Sequence, residues 1–348
     1  MATKDIDFVA VHAGAGYYSN RDQKGIVKLC KKACSIGARQ LTSGKPAIDS
    51  CVAATVVLED SPLTNAGFGS NLNLEEKVEC DAGLMDSSGM EFAGVGAVRS
   101  VKNPIRVAKH LLDERRKSHV ANLVRPFVLV GDGAEKFAQR IGAHIVEPKT
   151  MISSRSRRVF KRVLSHVETI QTSKLLPMDT VGSISVDNCQ LAAASCSSGG
   201  LLLKEPGRVG HATMFGAGCW AEVRNGNICA VSCSGCGEYL IKTHTAQIVA
   251  DALFEAPDSG FKHEVLQNTL KEKYLNSVLL CNSPKEHKLI GCICVFYSCS
   301  LNLLEFIWAH NSAVFPVCFW SKGVARTKQV LSRNEDLADV KAGCICAQ

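Results

Sequence analysis

Charge and aromatic side chains are scarce in this chain of 348 residues: Asp, Glu, Lys and Arg occupy 21% of positions, and Phe, Trp and Tyr only 6%. So low a charge content excludes the self-repelling composition of a disordered tail, and 46% hydrophobic residues supply a large core. Also missing is any run near the roughly 18 consecutive apolar residues of a membrane-spanning helix. The start, MATKDIDFVAVHAGAG, places Lys4, Asp5 and Asp7 around a short apolar run and lacks the apolar centre of a signal peptide. A protein of the cytosol or nucleus with no membrane partner is expected.

Cysteine is plentiful instead. The seventeen cysteines lie scattered through apolar segments such as LIGCICVFYSCS, which argues against a small secreted disulfide framework and for buried, reduced thiols. Cys233 and Cys236 form one C-x-x-C, yet no second Cys or His pair stands at zinc spacing. Their neighbouring glycines point to a backbone role, so neither metal nor cofactor is expected. Part of the net charge of +7 is local: between residues 150 and 179, Arg155, Arg157, Arg158, Lys161, Arg162 and Lys174 face only Glu168 and Asp179. Without a sustained apolar face, this stretch reads as an exposed linker with one helix at most. Its segment SRSRRVFKR also has the composition of a nuclear localisation patch. No aromatic stacking motif or DNA-binding module accompanies it, so direct nucleic-acid binding is not expected.

Along the chain, IDFVAVH reads as a first buried strand ending in the turn AGAG. Ile26, Leu29, Cys30, Ala33, Ile36 and Leu41 recur at helical steps, and Pro46 suits the start of a second helix. The loop SPLTNAGFGSNLN precedes a strand pair, VECDAGLMD and EFAGVGAVRS. Helices are predicted at 104–113 and 133–141, flanking the strand FVLV. The second half is rich in strands: VGSISV, LAAASC, MFGAGCWAEV and ICAVSC precede a helix over 238–254. Three strands follow it, IGCICVFY, LLEFIWAH and VFPVCFW. The tail DVKAGCICAQ carries no assigned role. The order fits two sheets covered by helices.

At LLPMDTVGSISV an aspartate and a threonine stand at the mouth of a buried strand. If VGSISV pairs with ASCSSGG through a turn at 187–189, facing residue numbers sum to about 378, which sets Thr180 opposite Ser198 where the second strand opens into Gly199 and Gly200. Ordinary cross-strand hydroxyl pairing accounts for that juxtaposition by itself. Two other stretches add to it. Arg208, between Gly207 and Gly210, has small neighbours that let a guanidinium approach a carboxylate. Ser234-Gly235-Cys236-Gly237 joins a strand to a helix, a place where backbone N–H groups collect for a developing oxyanion.

The ordered set DTVG, SSGG, GRVG and SGCGE resembles the asparaginase-like N-terminal nucleophile hydrolases, and within them the branch of threonine aspartases. VHAGAG, EDSPLTNAGFGSNLN, VECDAGLMD and GAGCWAE carry the resemblance over nearly the whole chain. It implies an α+β fold, a four-layer αββα sandwich, in a single domain spanning 1–348. It also implies an inactive precursor that cuts itself between Asp179 and Thr180, leaving an α chain of 1–179, with the basic linker at about 150–179, and a β chain of 180–348. These form an αβ heterodimer that in some members pairs again.

By the same resemblance Thr180 is the nucleophile, and its freed α-amino group the base. Ser198 orients the hydroxyl, Ser234 and Gly235 form the oxyanion pair, and Arg208, His211 and Gly237 contact substrate. Members that act on asparagine or isoaspartyl dipeptides carry GRVGD and are cut after glycine. This chain has GRVGH, with His211 unable to supply a permanent negative charge, and Asp179 before the cut. An endopeptidase is expected, cleaving after aspartate at apolar-Asp-Gly sites, as Met178-Asp179 itself suggests, in nuclear transcription regulators. The alternative is an asparaginase or isoaspartyl peptidase. Asn65 and Gly67 are candidates for a second wall of the site, with a plain glycine-asparagine turn the equal alternative, and Lys24 is a weaker candidate to face a substrate carboxylate.

Overall fold

The computed structural model describes residues 6–117, 124–165, 179–258 and 260–347. Glu168, Thr172, Ser173, Lys174 and Met178, part of the stretch read as a linker, lie outside them. The larger sheet has eight strands in the order β12-β11-β1-β5-β6-β2-β3-β4. These are β1 (Phe8–His12), β2 (Cys80–Asp86), β3 (Glu91–Val98), β4 (Val128–Val130), β5 (Val181–Val186), β6 (Ala192–Ser198), β11 (Val314–Ser321) and β12 (Lys328–Arg333). The smaller sheet runs β13-β10-β9-β8-β7, from β7 (Cys219–Arg224), β8 (Asn227–Gly235), β9 (Ile290–Ser298), β10 (Leu303–His310) and β13 (Lys341–Cys346).

Helices α1 (Asn20–Thr42), α2 (Ala47–Glu59) and α3 (Pro104–Arg115) cover one face of the larger sheet. Burial on both faces explains why β1, β5 and β6 read as almost unbroken runs of Val, Ile, Ala and Ser, each residue buried. The other face packs on the smaller sheet through residues such as Phe8, Ile184, Val231 and Phe306. Beyond it lie α7 (Thr245–Glu255) and α8 (Lys262–Thr269). This is the αββα sandwich that the resemblance implied. The larger sheet draws strands from both before and after Thr180, with β1 lying between β5 and β11; the smaller sheet is built wholly from after it.

Several elements differ from the sequence reading. The helix expected over 238–254 is two, α6 (Gly237–Thr243) and α7, broken at His244 in the left-handed region. The segment 150–164 is no free linker: α5 (Ser154–Leu164), capped by Ser153, buries Ser156, Phe160 and Val163. Three buried side chains at helical spacing hold it down, too few among its basic residues to register as an apolar face. The tail is strand β13, paired along β10. Helix α4 (Gly131–Arg140) stands close to its expected place.

Candidate active site

Strands β5 and β6 are joined by a tight turn that Asp187 organises, its Oδ1 accepting the N–H groups of Cys189 (3.0 Å) and Leu191 (3.1 Å). That turn fixes the register at Val181 opposite Ser197 and Gly182 opposite Cys196, the pairing expected from sequence. Thr180, immediately before β5, therefore meets Ser198. Its Oγ1 donates to Ser198 Oγ at 3.1 Å, and Ser198 Oγ also accepts the Gly200 N–H at 3.0 Å. Both side chains are buried.

They sit in the floor of a cleft lined also by Asn65, Gly200, Leu201, Arg208, Gly210, His211, Gly235 and Gly237. Asn65 forms the second wall and is tied down on both sides: its Nδ2 donates to Gly200 O (2.9 Å) and its Oδ1 accepts from Asn71 N (2.8 Å). Gly67 has another role, lying against the Glu59 backbone, and Lys24 is exposed on α1. The loop bearing Arg208 is anchored by two carboxylates that sequence reading did not single out. Glu79 Oε2 accepts the Gly207 N–H at 2.9 Å, and Asp81 Oδ2 accepts the Gly210 N–H at 2.8 Å. Asp81 stands beside Ser198 across the β2–β6 pair, so one strand register places both the loop and the hydroxyl.

Arg208 donates from Nε and Nη2 to the two carboxylate oxygens of Glu238, at 2.8 and 2.7 Å. Glu238, in the first turn of α6, was not among the expected site residues. The pair is a bidentate fork, and Arg208 holds the Glu238 carboxyl below its ordinary range against the opposing effect of burial. His211 lies beside it with Nε2 3.3 Å from the Cys233 carbonyl oxygen. Burial, reinforced by the Arg208 charge, lowers its pKa to about 4. Its ring is therefore neutral at physiological pH.

Gly235 ends β8 with φ +150, and a Cβ there would lie 2.3 Å from Leu289 O, so the cleft wall needs glycine at this point. Ser234 is buried, and its Oγ accepts the Ala15 N–H at 3.1 Å. Of the expected oxyanion pair, Gly235 lines the cleft while Ser234 ties it to the turn after β1. Cys233 faces Cys292 across β8 and β9, with Sγ atoms 3.6 Å apart, and its partner in the C-x-x-C, Cys236, caps α6.

Asp179 departs most from expectation. Read as a guide to substrate preference, Asp179 would share the substrate's seat; its side chain instead lies against the AGAG turn, where a Cβ on Gly14 would stand 2.6 Å from Asp179 Cα and one on Gly16 would meet Oδ1. Oδ1 is buried without a hydrogen-bond partner. Burial raises the carboxyl to about pKa 7, while the Arg155 charge and Tyr18 pull the other way. Arg155 is itself engaged by Leu63 O (2.7 Å) and Asp22 (3.6 Å). The run AGAG was legible as a turn, but nothing in it announced that its missing side chains make room for Asp179.

The neutral, buried His211 has a measurable consequence. Unfolded, its imidazole takes up a proton below about pH 6.5; folded, it stays neutral to about 4. The unfolded state thus binds more protons in that window, and stability falls as pH falls. Glu59 and Asp179, raised to about 8 and about 7 by burial, give the opposite slope, so parent and variant must be compared. Between pH 6.5 and 4 the parent is expected to lose about 1.4 kcal/mol per pH unit relative to His211→Gln. Urea unfolding at pH 7 and pH 5 checks this; parallel changes in both proteins would contradict it.

Residues 6–264 match a family model described as asparaginase. The chain belongs to the asparaginase family. Asparaginase-family relatives include a plant-type L-asparaginase of Pyrococcus furiosus, 34% identical over 254 residues, or 70% of this chain and 78% of that protein. An isoaspartyl peptidase/L-asparaginase of Mus musculus is 30% identical over 280 residues, 79% and 81% of the two chains. An isoaspartyl peptidase of Escherichia coli is 32% identical over 254 residues, 70% and 75%. The fold and this kinship make the protein a hydrolase of the N-terminal nucleophile, asparaginase-like kind. The matched segment runs from before the AGAG turn to beyond Glu238.

Proposed function

We propose that the protein is a self-processing threonine endopeptidase of the taspase type, cutting protein substrates after aspartate. The observation that carries the reading is the Thr180 hydroxyl, 3.1 Å from Ser198 and immediately after a buried Asp179. Thr180 Oγ1 attacks the Asp179 carbonyl; the Oγ–C bond forms, the Asp179–Thr180 C–N bond breaks and the hydroxyl proton passes to the nitrogen. That shift frees the Thr180 α-amino group, and water then hydrolyses the resulting ester, restoring the hydroxyl and releasing Asp179 as a C-terminal carboxylate. With an ordinary pKa of about 7.7–8, that amine serves as general base for the same hydroxyl in later turnovers. Ser198 orients the hydroxyl, the Gly235 region receives the developing oxyanion, and Arg208 holds a substrate carboxylate. The chains 1–179 and 180–348 stay together as an αβ heterodimer because β1 is clasped between β5 and β11.

His211 favours the endopeptidase over the amidase. By the resemblance, members that bind a free amino acid carry an aspartate here to hold its ammonium group, whereas this ring is neutral and buried beside a guanidinium. Substrates are proposed among nuclear transcription regulators, with the protein in nucleus and cytoplasm. The exposed Arg157, Arg158, Lys161 and Arg162 on α5 support a nuclear address. The second reading, an isoaspartyl peptidase or asparaginase, has its support in the names of the three relatives. The two separate in one assay. Cleavage of an apolar-Asp-Gly peptide after Asp, with no ammonia from L-asparagine and no turnover of a β-aspartyl dipeptide, is expected; the reverse pattern establishes the amidase.

A further inference from the structure

The guanidinium of Arg208 has two edges, and the structure uses only one. Glu238 takes the Nε–Nη2 edge side-on at 2.8 and 2.7 Å. The rest of the group is packed among glycines: a Cβ on Gly200 or Gly210 would lie 2.9 or 2.8 Å from Nη1, and one on Gly237 would lie 2.6 Å from Nη2. All three glycines line the cleft with Thr180. The Nη1 end therefore points into the cleft, and the carboxylate on the opposite edge keeps it there. The Arg208 side chain is 15% exposed and that of Glu238 46%, so the fork sits at the rim, closed to water on the arginine side.

We infer that Glu238 is a positioning residue for substrate: by gripping one edge of Arg208 it presents the other to the substrate carboxylate, and it acts on turnover rather than on self-cleavage. The second half follows from the position of Asp179, which lies against Gly14 and Gly16 rather than against Arg208. Self-cleavage and substrate cleavage thus share Thr180 but seat their acidic groups in different places. The inference rests on the reading of Arg208 as the holder of a substrate carboxylate. Without Glu238 the long arginine side chain regains rotamer freedom, and each binding event must fix it anew.

The test is steady-state kinetics of Glu238→Ala on an apolar-Asp-Gly peptide, with appearance of the Thr180 N-terminus followed in the same preparation. KM is expected to rise about tenfold, the worth of one well-placed charge-assisted hydrogen bond, with kcat within about threefold of the parent and self-cleavage going to completion. Glu238→Gln, which keeps one acceptor and the side-chain shape, is expected to recover part of the loss. An unchanged KM overturns the inference. A lowered KM also overturns it and makes Glu238 a competitor for Arg208. If Glu238→Ala accumulates uncut, self-cleavage depends on Glu238 and the separation of the two steps is wrong; Glu238→Gln then decides the KM question. Should the parent leave the peptide intact, the endopeptidase reading fails. The same comparison then runs on a β-aspartyl dipeptide, whose carboxylate Arg208 holds under either reading.

Discussion

Replacing Thr180 by alanine is expected to yield a folded, uncut chain of 348 residues with turnover reduced by a factor of about 10⁴ or more. The substitution removes one hydroxyl whose partner is Ser198 Oγ. An interaction of that kind contributes only about 1 kcal/mol to stability, so the fold persists. In the proposed mechanism the chemistry has no substitute, because the same oxygen makes the ester in self-cleavage and attacks the substrate afterwards. Intact mass and peptide cleavage check the two losses separately. Any fragment beginning at residue 180 in this variant would sink the assignment of Thr180 as nucleophile.

Arg208→Ala is expected to have the second largest effect, a fall in kcat/KM of about 10- to 100-fold carried mainly by KM. The size follows from losing a charged hydrogen-bond donor, worth about 1.5–3 kcal/mol. Folding is expected to survive. Glu238, left without its partner, is 46% exposed and keeps contact with water, while the loop remains anchored through Glu79 and Asp81 by its backbone. Self-cleavage is expected to continue, since Asp179 sits against Gly14 and Gly16. Kinetics indistinguishable from the parent would mean that another group reads the substrate carboxylate.

Most of the fold was legible because burial on both faces leaves an unmistakable run of apolar residues. The register of Thr180 against Ser198 was equally readable, since a short turn and a period of two residues leave few alternatives. Edge elements were harder. β13, KAGCIC, has exposed ends and a uniformly half-buried middle with no alternation, and its strand character comes from pairing along β10 rather than from its own pattern. The break at His244 in the helix expected over 238–254 was not legible because a histidine does not signal left-handed backbone as glycine does. At the site, local motifs were visible while the contacts between them were not. Glu238 stood next to a recognised glycine, yet its grip on Arg208 depends on two segments thirty residues apart. The niche of Asp179 depends on a turn near the start of the sequence.

These contacts change the argument about specificity. From sequence, the residue before the cut reports what the active site prefers. The structure seats that residue against Gly14 and Gly16, whereas the Arg208–Glu238 fork lies with the cleft glycines, so under the proposed function a preference for aspartate in substrates rests on Arg208, Glu238 and His211 rather than on Asp179. The His211→Gln comparison and the Glu238 series probe that side of the cleft without touching the nucleophile.

The central claim is that Thr180 becomes an N-terminus by the protein's own chemistry. Intact-mass measurement of the freshly purified protein, with N-terminal identification of each fragment and Thr180→Ala prepared in parallel, tests it most directly. The account predicts two chains from the parent, one beginning at Thr180, and one chain from the variant. A parent that stays whole on prolonged incubation, or a cut that also appears in Thr180→Ala, would contradict it.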